Sequence, residues 1–219
     1  MNQAPPGGTV YGVLLNYKGA LAALGDAVNE PPYKAPPIAP VLYIKPANTW
    51  VGDGAPIPVP GDVDALQMGA ALGVVIGRTA CRVPLEAALD YVAGYTVVND
   101  VSVPHESFYR PSIRFKCRDG FCPIGRIVDR VRAPNPDALA VRVFVDGALR
   151  QRNTTANLIR STARLIADVT EFMTLVPGDV LLTGVPENAP LARAGQRVAI
   201  EIEHVGRVEN PLVAEGADP

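Results

Sequence analysis

Short apolar blocks, separated by polar text rich in glycine and proline, set the pattern of this chain. Val10 to Leu15 (VYGVLL) predicts a buried strand with a polar exit at Asn16-Tyr17, and Lys18 to Leu24 predicts a brief helix before Gly25. Prolines at 31, 32, 36, 37 and 40 then fix an extended connector without ladder hydrogen bonds. Val41 to Ile44 resumes as a strand that stops at Lys45-Pro46, and the text from Gly52 to Gly61 predicts turns. Leu66 to Ile76 (LQMGAALGVVI) predicts one long buried strand ended by Gly77, with Gly69, Ala70 and Ala71 leaving space where a sheet usually carries bulk. Pro84 to Val92 predicts a helix with Leu85, Ala88, Leu89 and Val92 at helical spacing, ended by Gly94.

In the second half, Ala138 to Val145 alternates as a strand, and Asp146-Gly147 is a two-residue hairpin signal. Thr154 or Thr155 is placed to cap a helix from about Asn157 to Met173, whose Leu158, Leu165, Ile166, Val169 and Phe172 share one face. Pro177-Gly178-Asp179 turns into the strand Val180-Leu181-Leu182, and Gly195 to Val213 holds two more strands. The pattern has no internal repeat. It predicts a β-rich α+β fold with two main helices, as a single domain over residues 1–219 with the first nine residues flexible.

One stretch breaks this pattern. Asn99 to Gly125 gathers Asp100, His105, Glu106, Arg110, Arg114, Lys116, Arg118 and Asp119, with Cys117 and Cys122, into text with few apolar runs. It follows the run Tyr95-Thr96-Val97-Val98, so Asp100 falls at a strand exit where side chains can converge on a ligand. Apolar content of 48% over 219 residues is enough for a sizeable core. A net charge of −2 with no block of like charges argues against nucleic acid or anionic membrane as a main partner. No apolar run has the length of a membrane span, and the first residues lack the basic start and apolar middle of a signal peptide, so a cytoplasmic protein is expected. Cys81, Cys117 and Cys122 cannot all pair with one another and read as reduced thiols. A zinc pair at Cys117 and Cys122 lacks the second pair such sites use.

Eight pieces, in order from Val10 to Val213, carry a resemblance to a known family. They are Asn16-Tyr17, Val41-Leu-Tyr-Ile-Lys-Pro46, Val74-Val-Ile-Gly77, Ala93 to Ser102 (AGYTVVNDVS), Lys116, Pro123-Ile-Gly125, Leu175-Val-Pro-Gly-Asp179 and Thr183-Gly-Val-Pro186. The chain resembles the fumarylacetoacetate hydrolase family, which implies a compact β-roll. The run Ser107 to Gly125 (SFYRPSIRFKCRDGFCPIG) is similar to the amino-terminal half of the decarboxylase/isomerase branch of that family. That branch serves homoprotocatechuate catabolism, with two family domains in one chain or in separate subunits. The resemblance therefore implies a small 2-oxo polycarboxylic acid as ligand. It also implies a homodimer, or a heteromer with a paralogous subunit of the carboxy-terminal type.

The family's chemistry needs Mg2+ or Mn2+ to chelate the 2-oxo acid and stabilise the enolate formed as carbon dioxide leaves or a proton shifts. The resemblance implies carboxylate ligands at a Glu-x-Glu pair and at the Asp of Asn-Asp-Val-Ser. Counting back from Gly77 places the pair at Gly69 and Ala71, so only Asp100 remains as a metal ligand and the ion is possible only in degraded form or in a partner. The lid motif Asn-Tyr-x-x-His-x-x-Glu reads NYKGALAA, with Ala20 and Ala23 at the His and Glu positions. Pro104-His105 stands for Arg-Asp, and Val185 for the second Thr of Thr-Gly-Thr-Pro. What the resemblance still offers is Lys116 as the catalytic residue, with Asn16, Tyr17, Tyr109, Asp119, Thr183 and Gly184 around the substrate.

Plainer readings stand beside these. Asp100 could cap a turn or pair with Arg110 or Arg114, and His105-Glu106 could be new ligands or an exposed loop pair. Lys116, Arg118 and Asp119 could form an ion-pair cluster that pins the loop. Thr183-Gly184 could face a substrate carboxylate or make a tight turn, Tyr17 and Tyr109 could line a pocket or pack, and His204 reads as solvated in an alternating strand. Functionally, the expectation is a decarboxylase/isomerase subunit whose metal chemistry lies in a partner domain. The alternatives are a non-catalytic subunit that binds a 2-oxo acid or assembles, and an acylpyruvate-type hydrolase.

Overall fold

The computed structural model describes residues 7–105, 108 and 112–216. In chain order its strands and α-helices are β1 (Val10–Leu14), α1 (Lys18–Ala22), β2 (Val41–Lys45), β3 (Trp50–Val51), β4 (Ile57–Val59), β5 (Leu66–Gln67), β6 (Ala70–Ile76), β7 (Val92–Asn99), α2 (Ile113–Lys116), β8 (Cys122–Pro123), β9 (Val128–Asp129), β10 (Ala140–Val145), β11 (Ala148–Thr154), α3 (Thr162–Phe172), β12 (Val180–Leu182), β13 (Leu191–Ala192), β14 (Arg197–Ile202) and β15 (Gly206–Ala214). A six-stranded sheet runs β2-β1-β12-β6-β7-β9, and a five-stranded sheet runs β11-β10-β14-β15-β4. Among the described residues no helix is long and apolar enough to cross a membrane.

The main core lies between the two sheets. Leu72, Val74 and Ile76 of β6 meet Val143 of β10, Ile200 of β14 and Val208 of β15 in one apolar cluster. The other face of β6 is covered as well, because Ala71 and Val75 pack with Val10, Val98 and Val180 in a second cluster. A strand buried on both faces reads as an unbroken apolar run, which is why LGVVI lacks alternation. On β10, Val141, Val143 and Val145 are buried while the residues between them are not, so this strand is covered on one face only. Asp146 and Gly147 take φ of 51° and 77°, the left-handed pair a tight hairpin demands.

Several expected boundaries move. The single long strand from Leu66 to Ile76 is broken at Met68-Gly69. Gln67 N donates to the Ser102 carbonyl at 2.8 Å and Met68 N to the Pro190 carbonyl at 2.9 Å, so β5 leaves the sheet that β6 belongs to. The helix expected over Pro84 to Val92 is a 3-10 turn at Leu85–Tyr91, and Val92 already begins β7. Gly77 N captures the Tyr91 carbonyl at 2.8 Å, pulling that end of the turn onto the sheet. Gly94 lies inside β7 rather than ending a helix, where a Cβ would come 2.2 Å from the Val128 carbonyl oxygen.

The helix expected from Asn157 begins at Thr162 instead. Ser161 caps it, accepting from Arg164 N at 3.2 Å, whereas Thr154 caps a short 3-10 turn at Thr155–Asn157. Residues Leu158 to Arg160 stay out of the helix because Asn16 holds them, its carbonyl accepting from Ile159 N at 2.8 Å and its Oδ1 from Arg160 N at 2.9 Å. Leu165, Ile166 and Val169 are buried, each contributing about 1.5–3 kcal/mol, while Phe172 is exposed. The Gly52 to Gly61 turns also contain β4, which pairs in parallel with β15. Among the described residues one α-helix, α3, exceeds five residues, in place of the two main helices expected. His204 sits in the turn between β14 and β15 with φ of 61° rather than in a strand, and is exposed. Residues 1–6 of the tail expected to be flexible lie outside the described residues, while Thr9 is tied down by a 2.7 Å bond from its N–H to Asp179.

Candidate active site

The site is assembled where β7 ends. Asp100 is the residue after that strand, and its N–H donates to the Gly69 carbonyl at 2.7 Å, at the break between β5 and β6. β2 contributes Tyr43 and Lys45, two residues apart and therefore on one face of the strand. The Tyr43 ring lies across Gly12 of β1, where a Cβ would overlap it, so glycine is required there by close approach. Lys116, the last residue of α2, arrives from the other side.

These groups converge on one carboxylate. Lys116 Nζ is 2.7 Å from Asp100 Oδ2, Lys45 Nζ is 3.0 Å from Oδ1, and the Tyr43 hydroxyl donates to Oδ2. Lys45 is fully buried and spends its other N–H groups on the carbonyls of Val101 (2.9 Å) and Lys116 (2.7 Å). Burial by itself would raise the pKa of Asp100, but the two ammonium groups and the bonds from Lys116 and Tyr43 outweigh it and hold the carboxyl well below the usual carboxylate range. Burial lowers the Lys116 pKa, and Asp100 opposes that shift. Burial, then the Asp100 charge, pushes the Tyr43 hydroxyl well up, so it stays a neutral donor. Two cations against one anion leave the cluster itself with a surplus positive charge, which the Glu187 carboxylate lining the cavity beside it partly offsets.

That surplus faces a cavity of about 320 Å3. Asp100 and Lys116 form part of its wall with Gln67, Ser102, His105 and Glu187, and Ala20, Ala23 and Leu24 of the α1 region close it. His105 is held in one orientation: its Nδ1 is 2.9 Å from the Val103 carbonyl oxygen and its ring stacks on Phe115 at 4.9 Å. A carbonyl only accepts, so Nδ1 carries the hydrogen and Nε2 has the lone pair in the neutral ring. Burial lowers the His105 pKa, which keeps the ring neutral at pH 7. Glu187 Oε1 accepts from Asn153 at 3.0 Å, and its carboxylate closely abuts Gly19 of α1.

The expected site residues separate into two groups. Asp100 and Lys116 meet at the cavity, and their mutual ion pair stands in place of an Arg114 partner and of the Lys116-Arg118-Asp119 cluster. Arg118 instead pairs with Asp62 at 3.1 Å, while exposed Asp119 accepts from Asn48 at 2.7 Å, away from the cavity wall. Asn16 and Thr183 are buried in the framework: Asn16 Nδ2 donates to the carbonyls of Thr183 (2.8 Å) and Arg160 (3.1 Å). Gly184 has φ of 114° and packs against Asn16 and Tyr17, which is the tight-turn reading. Tyr17 is fully buried behind the lining, and burial with the nearby Glu187 charge pushes its hydroxyl up. Tyr109, Glu106 and Arg110 lie outside the described residues. Cys81, Cys117 and Cys122 are free, with buried Cys122 pushed up to about 12 by desolvation.

A family profile described as Fumarylacetoacetate (FAA) hydrolase C-terminal matches residues 9–213. This chain belongs to the fumarylacetoacetate hydrolase family. It is 44% identical, over 208 residues and 95% of its length, to the 4-hydroxyphenylacetate degradation bifunctional isomerase/decarboxylase of Escherichia coli, of which it spans 48%. Among solved structures it resembles 5-carboxymethyl-2-hydroxymuconate delta-isomerase from Mycobacterium smegmatis, with TM-score 0.82 and 32% identity over 99% of this chain and 83% of that one. It also resembles fumarylpyruvate hydrolase from Pseudomonas aeruginosa in complex with Mn2+ and pyruvate, with TM-score 0.83 and 26% identity over 98% and 96%. The expected β-rich fold of this family is thus the fold observed.

The residues present do not fit a divalent ion at the positions where the family resemblance leads one to expect its ligands. Gly69 offers no side chain, and a Cβ there would come 2.5 Å from the Asp100 carbonyl oxygen, so a carboxylate cannot be restored without moving backbone. Ala71 packs in the second apolar cluster, and Asp100 is already engaged by two ammonium groups. Among the described residues no cluster of three or more His, Cys, Asp or Glu is placed to hold a metal. The strand-exit position pointed to Asp100 and the family resemblance to Lys116, but neither singled out Tyr43, Lys45, Gln67, Ser102 or Glu187. The available signal was Tyr43-x-Lys45, which puts a cation on the Tyr face of an otherwise apolar strand.

Proposed function

We propose that this family member acts as the amino-terminal-type half of an isomerase/decarboxylase for unsaturated 2-oxo polycarboxylic acids of seven or eight carbons. The reactions would be those of 5-oxopent-3-ene-1,2,5-tricarboxylate decarboxylase and 2-hydroxyhepta-2,4-diene-1,7-dioate isomerase in homoprotocatechuate catabolism. Metal-dependent chemistry then belongs to a paralogous domain of the carboxy-terminal type. The observation that carries this reading is the buried Lys45-Asp100-Lys116 cluster at the cavity wall, whose surplus positive charge suits a polycarboxylate. Such a charge also stabilises an enolate oxygen wherever one develops against it. The 44% identity to about half of a bifunctional isomerase/decarboxylase supports the same assignment.

The alanines at Ala20 and Ala23, which line the cavity without any acid or base, favour a second reading in which this chain binds the 2-oxo acid and assembles without reacting it. Loss of ultraviolet absorbance of the conjugated 2-oxo tricarboxylate separates the two. The purified chain would be assayed alone with magnesium and again with its candidate partner. Turnover with the partner that falls when Lys116 is replaced supports the first reading. Unchanged turnover in that variant leaves only the second.

A further inference from the structure

Three side chains of this cavity wall, Asp100, His105 and Glu187, carry a buried polar atom without a hydrogen-bond partner among the described residues, and His105 is the imidazole among them. Its Nε2 is buried and has no hydrogen-bond partner among the described residues, while Nδ1 is fixed on the Val103 carbonyl at 2.9 Å. The ring is clamped by Phe115 at 4.9 Å and by Phe108 at 5.6 Å, and it forms part of the same cavity wall as Lys116 and Asp100. A lone pair locked in place beside a surplus ammonium charge is what proton abstraction next to a carbonyl requires: a base for the proton and a cation for the oxygen that gains charge.

We propose that this pocket moves a proton on an enolisable 2-oxo acid without a metal ion, with Lys116 holding the oxygen that becomes negative and His105 Nε2 taking the proton. In the step, the C3–H bond of the acid breaks and its electron pair forms the C2=C3 bond. The carbonyl π pair moves onto the C2 oxygen, against the Lys116 ammonium, and the proton goes to His105 Nε2. Return of a proton to C3 regenerates the acid with its C3 hydrogen exchanged, delivery to the far end of a conjugated system completes an isomerisation, and either restores the neutral ring. Lys45 does not itself line the cavity; it lies behind Asp100 and serves to neutralise it, which leaves the Lys116 charge for the substrate. The proposal rests on reading the cavity as a 2-oxo acid site.

The test uses the full chain, stripped with EDTA, and 2-oxoglutarate as probe. Binding is read by calorimetry and C3-proton exchange in D2O by proton NMR. Exchange is expected without metal. His105→Gln, and independently His105→Asn, whose amide keeps a donor toward Val103, are expected to lower the exchange rate at least about a hundredfold. Binding and melting temperature should change little. Binding without exchange, exchange that needs added magnesium, or exchange unchanged in both variants overturns this proposal and leaves the 2-oxo acid site standing. Absence of binding removes that site and the proposal together.

Discussion

Two buried aspartates stand on the two strands that flank β6, one before β12 and one after β7, and do different work. Asp179, just before β12, is 3% exposed, and its two oxygens accept from the backbone N–H groups of Thr9 (2.7 Å) and Val176 (2.8 Å). Asp100, just after β7, is 1% exposed and is met by side chains from β2 and α2. A carboxylate satisfied by backbone fixes the path of the chain and leaves no charge over. One satisfied by two ammonium groups at a cavity wall leaves a cation free to meet a ligand. Burial and residue type are the same in both, so the partners decide which aspartate belongs to a site.

The comparison breaks most sharply at Asp100. Asp100→Asn removes the one anion from between two buried ammonium groups, and breaking a buried pair this way typically costs about 3–5 kcal/mol. Chemical denaturation should show that loss. Because the Asp100 pKa is held below its unfolded value, the pair's contribution is fully present above about pH 3.9 and drains away as pH falls toward the folded pKa. With Asp100 in place, acid unfolding followed by circular dichroism should therefore begin at higher pH when Lys116 alone is replaced. Asp179→Asn should cost less, about 2 kcal/mol, since it weakens two charge-assisted bonds without stranding a charge. It should leave 2-oxo acid binding unaltered, and calorimetry that found binding lost would end the distinction between the two aspartates.

What was legible in the sequence follows the same division between local and distant causes. The runs VYGVLL, VLYI and LGVVI and the turn Asp146-Gly147 carry their structure in adjacent residues, and each appears where expected. The boundaries that moved were set from afar. β5 parts from β6 because Ser102 and Pro190 bind it, and α3 starts late because Asn16 holds Leu158 to Arg160 out of the helix. The site divides likewise. Asp100 and Lys116 sit in a visibly polar stretch, but Lys45 lies 55 positions earlier than Asp100 at the end of an ordinary-looking strand, and only the meeting of β2 with the exit of β7 gives it a role. Asn16, Thr183 and Gly184 matched a motif for a different reason: their hydrogen bonds and backbone angles hold the framework behind the cavity.

Lys116→Met sharpens the comparison at smaller cost. Lys45 and Tyr43 still face Asp100, and the methionine keeps most of the lysine stem, so the domain should fold with a loss of about 1–3 kcal/mol. Affinity for 2-oxoglutarate should nevertheless fall at least about tenfold, which is about 1.4 kcal/mol of binding free energy. Titration calorimetry on the folded variant, well below its melting temperature, checks the affinity, and chemical denaturation checks the stability. Unchanged affinity would make Lys116 a structural partner of Asp100, as the N–H groups of Thr9 and Val176 are of Asp179.

The smallest effect is expected from magnesium. Hard divalent ions take six or more oxygen ligands and favour several carboxylates. Here Gly69 and Ala71 supply none, and the one carboxylate left would have to exchange two ammonium partners at 2.7 and 3.0 Å for the ion. Like-charge repulsion between Lys116 and an incoming dication adds to that cost. Titration of the isolated chain with magnesium chloride should therefore give no binding isotherm in the micromolar range and no rise in melting temperature. Micromolar affinity, lost in Asp100→Asn and kept in Asp179→Asn, would show that Asp100 releases its ammonium partners to take up the ion.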